Sequence, residues 1–268
     1  HTTKINMDVS VIIINYNTKQ MTSECIDSVI ANTSGVEYEI ILVDNASTDG
    51  SKEVFENDKL VTYIYSNENR GFGAGNNLGV KHAKGKYVFL LNSDTLLKNN
   101  AIKMFYDFSE AQAKPCVCGA WLLDREGNPN TSQVAFPRMN IKEFIKSFIS
   151  KPEPDDRNST KAVDVVCGAD MFLPKEVYDK SGGFDEAIFM YGEEVELQYR
   201  LKLMGVARYI IPGPQIVHFG KGSANSSSKS KNLYRSHFIF LKKHMTPFNY
   251  CCARAYYAVN LSLRKLLG

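Results

Sequence analysis

The sequence of 268 residues predicts an α/β protein, with an open, mainly parallel, Rossmann-like sheet flanked by helices and a helical C-terminal tail. Three observations carry this expectation. Apolar runs rich in branched and aromatic residues recur at Val9–Ile14, Tyr38–Val43, Leu60–Tyr65 and Tyr87–Leu91, as buried strands require. Helix-period stretches separate these runs, at the spacing of parallel strands joined by crossover helices. Each run also stops at a polar cluster: Asn15-Tyr16-Asn17, Asp44-Asn45, Ser66 to Arg70, and Asn92-Ser93-Asp94. In a parallel sheet those ends share one edge, and α/β proteins bind ligands in the crevice outside it.

The elements follow in order. Met21, Cys25, Ile26, Val29 and Ile30 make an apolar stripe on a helix from Thr18 to about Asn32. Ser47, Thr48 or Asp49 caps a short helix over Ser51–Glu56. Gly71-x-Gly73-x-Gly75 opens a helix that ends at Lys84-Gly85, where glycine suits a left-handed cap. After the strand at Tyr87 come a helix from about Asn99 to Ala113 and a strand over Cys116–Leu123. Residues 125–161 turn polar, with one short helix expected over 141–149. A strand over Val163–Leu173 leads to Pro174 in the first turn of a helix. In the helix from Gly192 to Gly205, Leu197, Leu201 and Met204 face inward and Glu196 can pair with Arg200. Strands over Ala207–Ile211 and Gln215–Phe219 precede a Gly/Ser-rich loop, either a linker or a lid over a diphosphate. The tail is helical in pattern from Leu233 and interrupted at Pro247.

Composition is that of an ordinary globular protein, with 44% hydrophobic and 23% charged residues. The six cysteines form no C-x-x-C pair and lie mostly in apolar runs, which reads as free thiols in a reducing compartment rather than a zinc or disulfide framework. Net charge is unevenly placed. From Lys229 onward there are eight Lys/Arg and no Asp/Glu, so a net charge of +3 leaves −5 on the preceding 228 residues. A basic tail interleaved with aromatic and leucine residues fits a helix lying on an anionic membrane; helices packed on the body or on a second subunit fit the same pattern. Nucleic acid is not an expected partner, because the basic residues carry no reader motif.

The crevice residues bear chemistry. A lone carboxylate, Asp94, among small polar residues suits a divalent cation that holds phosphate oxygens, although Asp94 can also cap a helix or make a turn. The glycine loop before a helix offers backbone amides to an anion. It is not the dinucleotide fingerprint, since Asn76 stands where the third glycine belongs and the first strand ends without glycine. A nicotinamide dehydrogenase is therefore disfavoured, as is a nucleotidyltransferase, which would open with a Gly-rich basic loop. Taken singly, Glu193-Glu194 is explained by the helix dipole, and His218 as a satisfied histidine after a strand.

Taken together the motifs say more. Val-Ile-Ile-Ile-Asn15-Tyr16-Asn17, Val-Asp44-Asn45-Ala-Ser-Thr-Asp-Gly-Ser51, Asn69-Arg70-Gly71-Phe-Gly-Ala-Gly-Asn-Asn77, Leu-Asn92-Ser93-Asp94, Tyr191-Gly-Glu193-Glu194-Val-Glu-Leu197 and Val-His218-Phe-Gly-x-Gly-Ser223 occur in that order. The chain resembles family 2 glycosyltransferases of the GT-A fold, close to bacterial rhamnosyltransferase-like members, over roughly residues 8–228. The resemblance implies an inverting transfer of a sugar from a nucleotide-diphosphate donor, of dTDP-rhamnose or UDP-hexose type. The acceptor would be a glycan or lipid-linked sugar in bacterial surface polysaccharide synthesis. It implies a catalytic unit over 8–228, with a nucleotide-binding half (about 8–122) and an acceptor half (about 123–228), and a basic amphipathic tail over 229–268. Asp44 would accept the pyrimidine imide N–H, with Asn15, Tyr16, Asn17 and Asn45 around the base. Arg70, Gly71, Asn77, Asn92 and Ser93 would line the rest of the nucleotide. Asp94 closes the family's D-x-D-type motif; its first acid is Asn92 here, so Asp94 supplies the charge and His218 joins it on Mg²⁺ or Mn²⁺. Glu194 would be the general base, with Glu193 beside it, although many relatives carry Glu-Asp at this pair. Acceptor contacts are expected from 125–161 and near Asp170 and Asp185. The resemblance places the protein in the cytoplasm, at the inner face of the plasma membrane, and an oligomer is compatible with it. A catalytically silent nucleotide-sugar-binding module is the alternative, favoured by Asn92.

Overall fold

A computed structural model describes residues 7–138, 155–220 and 226–255. Twelve strands are formed: β1 (Val9–Asn15), β2 (Tyr38–Asp44), β3 (Thr62–Tyr65), β4 (Tyr87–Asn92), β5 (Thr95–Leu97), β6 (Cys116–Ala120), β7 (Gln133–Val134), β8 (Lys161–Ala162), β9 (Val165–Val166), β10 (Asp170–Pro174), β11 (Ala207–Ile211) and β12 (Ile216–His218). The helices are α1 (Lys19–Asn32), α2 (Ser51–Phe55), α3 (Phe72–His82), α4 (Ala101–Glu110), α5 (Lys175–Ser181), α6 (Glu193–Leu203) and α7 (Ser226–His244). A further helical run covers 247–255. The expected helix over 141–149 and the tail beyond 255 lie outside the described residues.

The main sheet has the order β3-β2-β1-β4-β10-β6-β11-β8. β3, β2, β1 and β4 run parallel, as their separation by helices requires, and β6 runs parallel to β11. β10 is antiparallel to both β4 and β6. β10 begins at the crevice edge, with Asp170 opposite Leu91, so the strand must run back. Both expected halves contribute strands to this one sheet.

Alternation along the strands divides the core between the two faces. Val11, Ile13, Phe89, Leu91 and Phe172 pack with α1 and α4, and the Phe105 ring stacks on Phe172 at 5.6 Å. Ile12, Ile14, Leu90, Met171 and Leu197 pack on the other face with α3 and α6. Helix α3 lies so close to β1 that a Cβ on Gly79 would stand 2.5 Å from Ile12 Cγ2. That contact seats the glycine-rich start of α3 beside the strand ends.

Several local expectations change. Asp94 caps no helix: Ser93 and Asp94 make a turn, the other local reading, and lead into β5, which pairs antiparallel with β12. The strand expected over Val163–Leu173 divides into β9 and β10, because Cys167 and Ala169 turn to bond Ser132 and Asn92. Gly50 rather than 47–49 holds the cap position of α2, yet Asp49 Oδ1 accepts the Ser51 N–H (3.2 Å) that opens this helix while its Oδ2 accepts the Lys19 N–H (2.9 Å) at the start of α1. Pro174 closes β10 at the cap position of α5. Met204 is 45% exposed, since α6 stops at it and Gly205 turns left-handed before the residue can rotate inward. The tail breaks at Met245-Thr246, and Pro247 opens the next helix, where its missing N–H costs nothing.

Three cysteines (Cys25, Cys116, Cys118) are buried, Cys167 is half-buried, and Cys251 and Cys252 are exposed in the tail; all six are free. Among the described residues no helix is long and apolar enough to cross a membrane.

Candidate active site

Register brings the strand ends together. Asn15 lies opposite Asp44, and Ile14 opposite Asn92. Asn15 is wholly buried: its Oδ1 accepts from the Thr18 and Thr22 hydroxyls at 2.9 Å each, and its Nδ2 donates to Ser47 Oγ at 3.0 Å. Asp44 is equally buried and accepts from the Ser47 N–H (2.7 Å) and the Tyr63 hydroxyl (2.9 Å). Asn15 and Asp44 thus form the floor of the crevice. Half-exposed Tyr16 and exposed Asn17 stand at its rim.

Asn17 (φ 54°) and Ala46 (φ 65°) are left-handed without being glycine, at a cost of roughly 1–2 kcal/mol each. The two turns hold one another: Asn17 N–H donates to Ser47 Oγ (2.9 Å) and Thr48 N–H to Asn17 Oδ1 (2.7 Å). Strain of this kind gathers at ligand sites.

On one side of the floor, Asn45 Nδ2 donates to the Gly71 carbonyl at 3.0 Å. Gly71 has φ 93°, and a Cβ there would stand 2.1 Å from the Phe189 carbonyl oxygen, so only glycine fits. Arg70, just before it, is paired with Glu186 at 2.6 Å. A pocket lies here, lined by Asn45, Ser66, Arg70, Gly75, Lys81 and Glu186 among others. Asn77, expected along the nucleotide, turns the other way. Its Oδ1 accepts from the Phe184 N–H and the Tyr178 hydroxyl, and its Nδ2 donates to Phe184 O and Glu186.

On the other side, Asn92, Ser93 and Asp94 follow β4. Ser93 Oγ meets Thr18 Oγ1 at 3.2 Å. The β5–β12 ribbon lays His218 opposite Thr95, which puts His218 Nε2 at 3.4 Å from Asp94 Oδ1 and 3.5 Å from Asn92 Nδ2. Asn92 Oδ1 is buried with no hydrogen-bond partner. No group of three His, Cys, Asp or Glu that could hold a metal ion occurs among the described residues. A carboxylate, an imidazole nitrogen and an unpartnered amide oxygen nonetheless fit a divalent ion that takes its remaining ligands from phosphate oxygens.

Glu193 and Glu194 begin α6 after two left-handed residues, Tyr191 (φ 68°) and Gly192 (φ 93°). Glu193 is buried against Gly73, with its Oε2 unpartnered. Burial, and then the charge of Glu194, hold its carboxyl well above the usual range. Glu194 lies half-exposed over Gly168 and accepts the Gly192 N–H at 3.1 Å. Burial raises its carboxyl too, but the backbone amides oppose that shift. Both carboxyls of the pair are thus held above the usual carboxylate range, chiefly by burial. The residues after Cys167 join the two sides: Gly168 lies against Glu194, and the Ala169 carbonyl accepts the Asn92 N–H at 3.0 Å. Burial first, then the charges of Asp170, Glu194 and Asp94, push the Cys167 thiol up to about 12.

Asp170, near which acceptor contact was expected, does not reach the crevice. Its side chain is wholly buried, with Oδ2 on the Ala120 N–H (2.6 Å) and Oδ1 unpartnered, and burial holds its carboxyl well above its usual range. β10 turns this side chain into the sheet's interior. Asp185 is bound by Lys243 of α7 at 3.0 Å. Sequence reasoning did not single out Glu186, because nothing local marks an acid in a turn as the partner of an arginine 116 residues away.

The profile of glycosyl transferase family 2 matches residues 10–180. A low-salt glycan biosynthesis hexosyltransferase, Agl10, of Haloferax volcanii is 28% identical over 199 residues, covering 73% of this chain and 62% of that protein. Rhamnosyltransferase WbbL of Escherichia coli K12 is 25% identical over 224 residues, covering 79% of this chain and 83% of that protein. Among solved structures, the mannosyltransferase PcManGT of Pyrobaculum calidifontis with GDP-Man and Mn²⁺ superposes with a TM-score of 0.63 at 17% identity, over 92% of this chain and 68% of that one. GalNAc-T7 with UDP, GalNAc and Mn²⁺ gives 0.65 at 15% identity, over 81% of this chain and 44% of that one. The fold is the GT-A fold.

Proposed function

Because the chain belongs to glycosyl transferase family 2, we propose that it moves a sugar, with inversion, from a nucleoside-diphosphate donor to a hydroxyl of a glycan or lipid-linked acceptor in bacterial surface polysaccharide assembly. The observation that carries this reading is the Gly168–Ala169 turn, which lies against Glu194 and also accepts the Asn92 N–H at 3.0 Å, so that the start of α6 and the Asn92-Ser93-Asp94 motif meet at one place. The likeness to WbbL supports a dTDP-rhamnose donor; UDP-hexose is the other donor type.

The chain's own groups account for the work. Tyr16, Asn17 and the Ser47–Thr48 turn frame the base above Asp44, and Arg70 meets the diphosphate. Asp94, His218 and the Asn92 amide oxygen would hold Mg²⁺ or Mn²⁺, which when bound neutralises charge on the leaving diphosphate. Glu194, half-buried at the start of α6, takes in its ionised form the acceptor hydroxyl proton as that oxygen attacks the anomeric carbon from the side opposite the diphosphate. Its negative charge also favours the oxocarbenium character that develops there. Calorimetry with dTDP and UDP tests the reading. At least one should bind in Mn²⁺, about tenfold or more weaker in EDTA, a difference of about 1.4 kcal/mol. Binding without transfer to any acceptor would favour the silent module that Asn92 suggests. No binding in either condition would sink both.

The tail packs on the body, one of the two readings of its sequence. One face of α7 packs on α6: Phe240 and Leu241 are buried, and Lys243 and His244 reach the fully buried Glu196 at 2.7 and 3.0 Å. Leu233, Tyr234 and, beyond the break, Phe248 stay exposed among basic residues. We assign this outer face to the anionic inner surface of the plasma membrane, where a lipid-linked acceptor resides. The native chain should pellet with vesicles rich in anionic lipid, and Leu233→Asp with Phe248→Asp should abolish pelleting while nucleotide binding persists. A native chain that stays in the supernatant refutes the assignment.

A further inference from the structure

We infer that Glu186 is a positioning residue for the donor, acting through Arg70, and that Asn77 serves the site by holding Glu186. The inference rests on the reading of Arg70 as a ligand of the donor's diphosphate. Arg70 ends the loop after β3 and its side chain is 56% exposed, so by itself the guanidinium would sample many rotamers. An ion pair this exposed adds little to folding. Its consequence is where it puts the guanidinium, and that requires a fixed partner.

Glu186 is fixed. One carboxylate oxygen takes Arg70 Nη2 at 2.6 Å, while the other accepts Asn77 Nδ2 at 3.1 Å. Asn77 projects from α3 and is itself saturated: Phe184 N–H at 2.9 Å and Tyr178 hydroxyl at 2.6 Å on its Oδ1, and the Phe184 carbonyl at 3.0 Å on its Nδ2. The approach is too close for any side chain on Gly183, whose Cβ would stand 2.5 Å from Asn77 Oδ1. A few residues on, the same segment is tied to the glycine loop by the Phe72 N–H on Phe189 O (3.1 Å). Arg70 and its partner are thus anchored at both ends of one clamp.

The geometry leaves the cation usable. Glu186 engages one Nη2 hydrogen, and Glu68 stands at 3.7 Å from Nε, so the remaining donors of the fork are free for phosphate oxygens. Glu186 and Arg70 line the same pocket. The clamp also runs straight into α6, so the segment that aims Arg70 is continuous with the one that presents Glu194.

The test is a double-substitution cycle read by calorimetry of UDP, with Mn²⁺, on the full chain. Glutamine at 186 puts an NH2 group in place of one carboxylate oxygen, so either Arg70 or Asn77 then faces a donor instead of an acceptor. Arg70→Ala should weaken UDP about tenfold or more, and Glu186→Gln about three- to tenfold. In the Arg70→Ala background, Glu186→Gln should change UDP affinity less than about twofold. Uridine, which has no phosphate, should bind all four proteins alike, whereas a merely structural role would weaken uridine and UDP together. Equal losses in both backgrounds, or unchanged or tighter UDP binding on Glu186→Gln alone, overturns the inference while leaving Arg70 as a ligand. Unchanged UDP binding in Arg70→Ala overturns the diphosphate reading and this inference with it.

Discussion

Glu194→Gln should reduce transfer by about two to four orders of magnitude, the usual contribution of a positioned general base, while donor affinity stays near native. The substitution keeps size and can keep the hydrogen bond from the Gly192 N–H, but it removes the carboxylate that would take the proton. Glu193→Gln should be much milder in rate, because Glu193 is buried against Gly73 while Glu194 is the more exposed of the pair. The pH dependence follows with a definite sign. Burial raises both carboxyls, so the group that must be ionised titrates above the usual carboxylate range. Activity should therefore fall as pH drops through that raised value, earlier than for an exposed glutamate, and the profile should report the pair rather than one residue. Rates of kcat and kcat/KM against pH for native and both variants settle this. Full activity in Glu194→Gln would remove it as base and turn attention to Glu193.

The sheet was readable because its strands are buried on both faces and end abruptly in polar residues. Val9–Ile14 and Tyr87–Leu91 leave no other interpretation once helices separate them. The parallel order of β3, β2, β1 and β4 follows from connectivity alone. β10 was not readable as antiparallel, since direction depends on which edge the chain returns from, and an apolar run is the same read either way. The site divides in the same manner. Asp94, His218 and Glu194 stand out where a polar residue interrupts or follows apolar sequence, and the β5–β12 ribbon and α6 then bring them to one crevice. Asp170 shows that a polar residue near a strand end can turn inward to satisfy a backbone amide, and Asn77 that one within a helix can bind a neighbouring turn and the Arg70 partner Glu186. Side-chain direction there is set by tertiary packing. Glu186 shows the converse: its meaning comes from Arg70 and Asn77, both distant in the chain.

Asp94→Asn should abolish the metal dependence of donor binding. With Asn92 already neutral, Asp94 is the one carboxylate of the Asn92-Ser93-Asp94 motif, and His218 Nε2 stands 3.4 Å from it. An amide at 94 leaves a divalent ion no anionic protein ligand in the motif, and hard cations depend on charged oxygen donors. UDP or dTDP affinity in Mn²⁺ should then fall to the level the native protein shows in EDTA. Transfer should fall by about 10³ or more, as expected when charge on a leaving diphosphate goes unneutralised in a site built around one cation. The fold should survive, since the backbone bond from Phe219 N–H to the Asp94 carbonyl (3.0 Å) does not involve the side chain. The converse substitution sharpens the case. Asn92→Asp puts a second carboxylate where an unpartnered amide oxygen is buried, 3.5 Å across from His218 by its other amide atom, and should tighten Mn²⁺ by about tenfold, or about 1.4 kcal/mol. Mn²⁺ binding followed by electron paramagnetic resonance, beside nucleotide calorimetry, measures both directions. If Asp94→Asn keeps its metal response, or Asn92→Asp leaves Mn²⁺ affinity unchanged, the ion is held elsewhere and the Asp94–His218 pair serves only to fasten the ribbon.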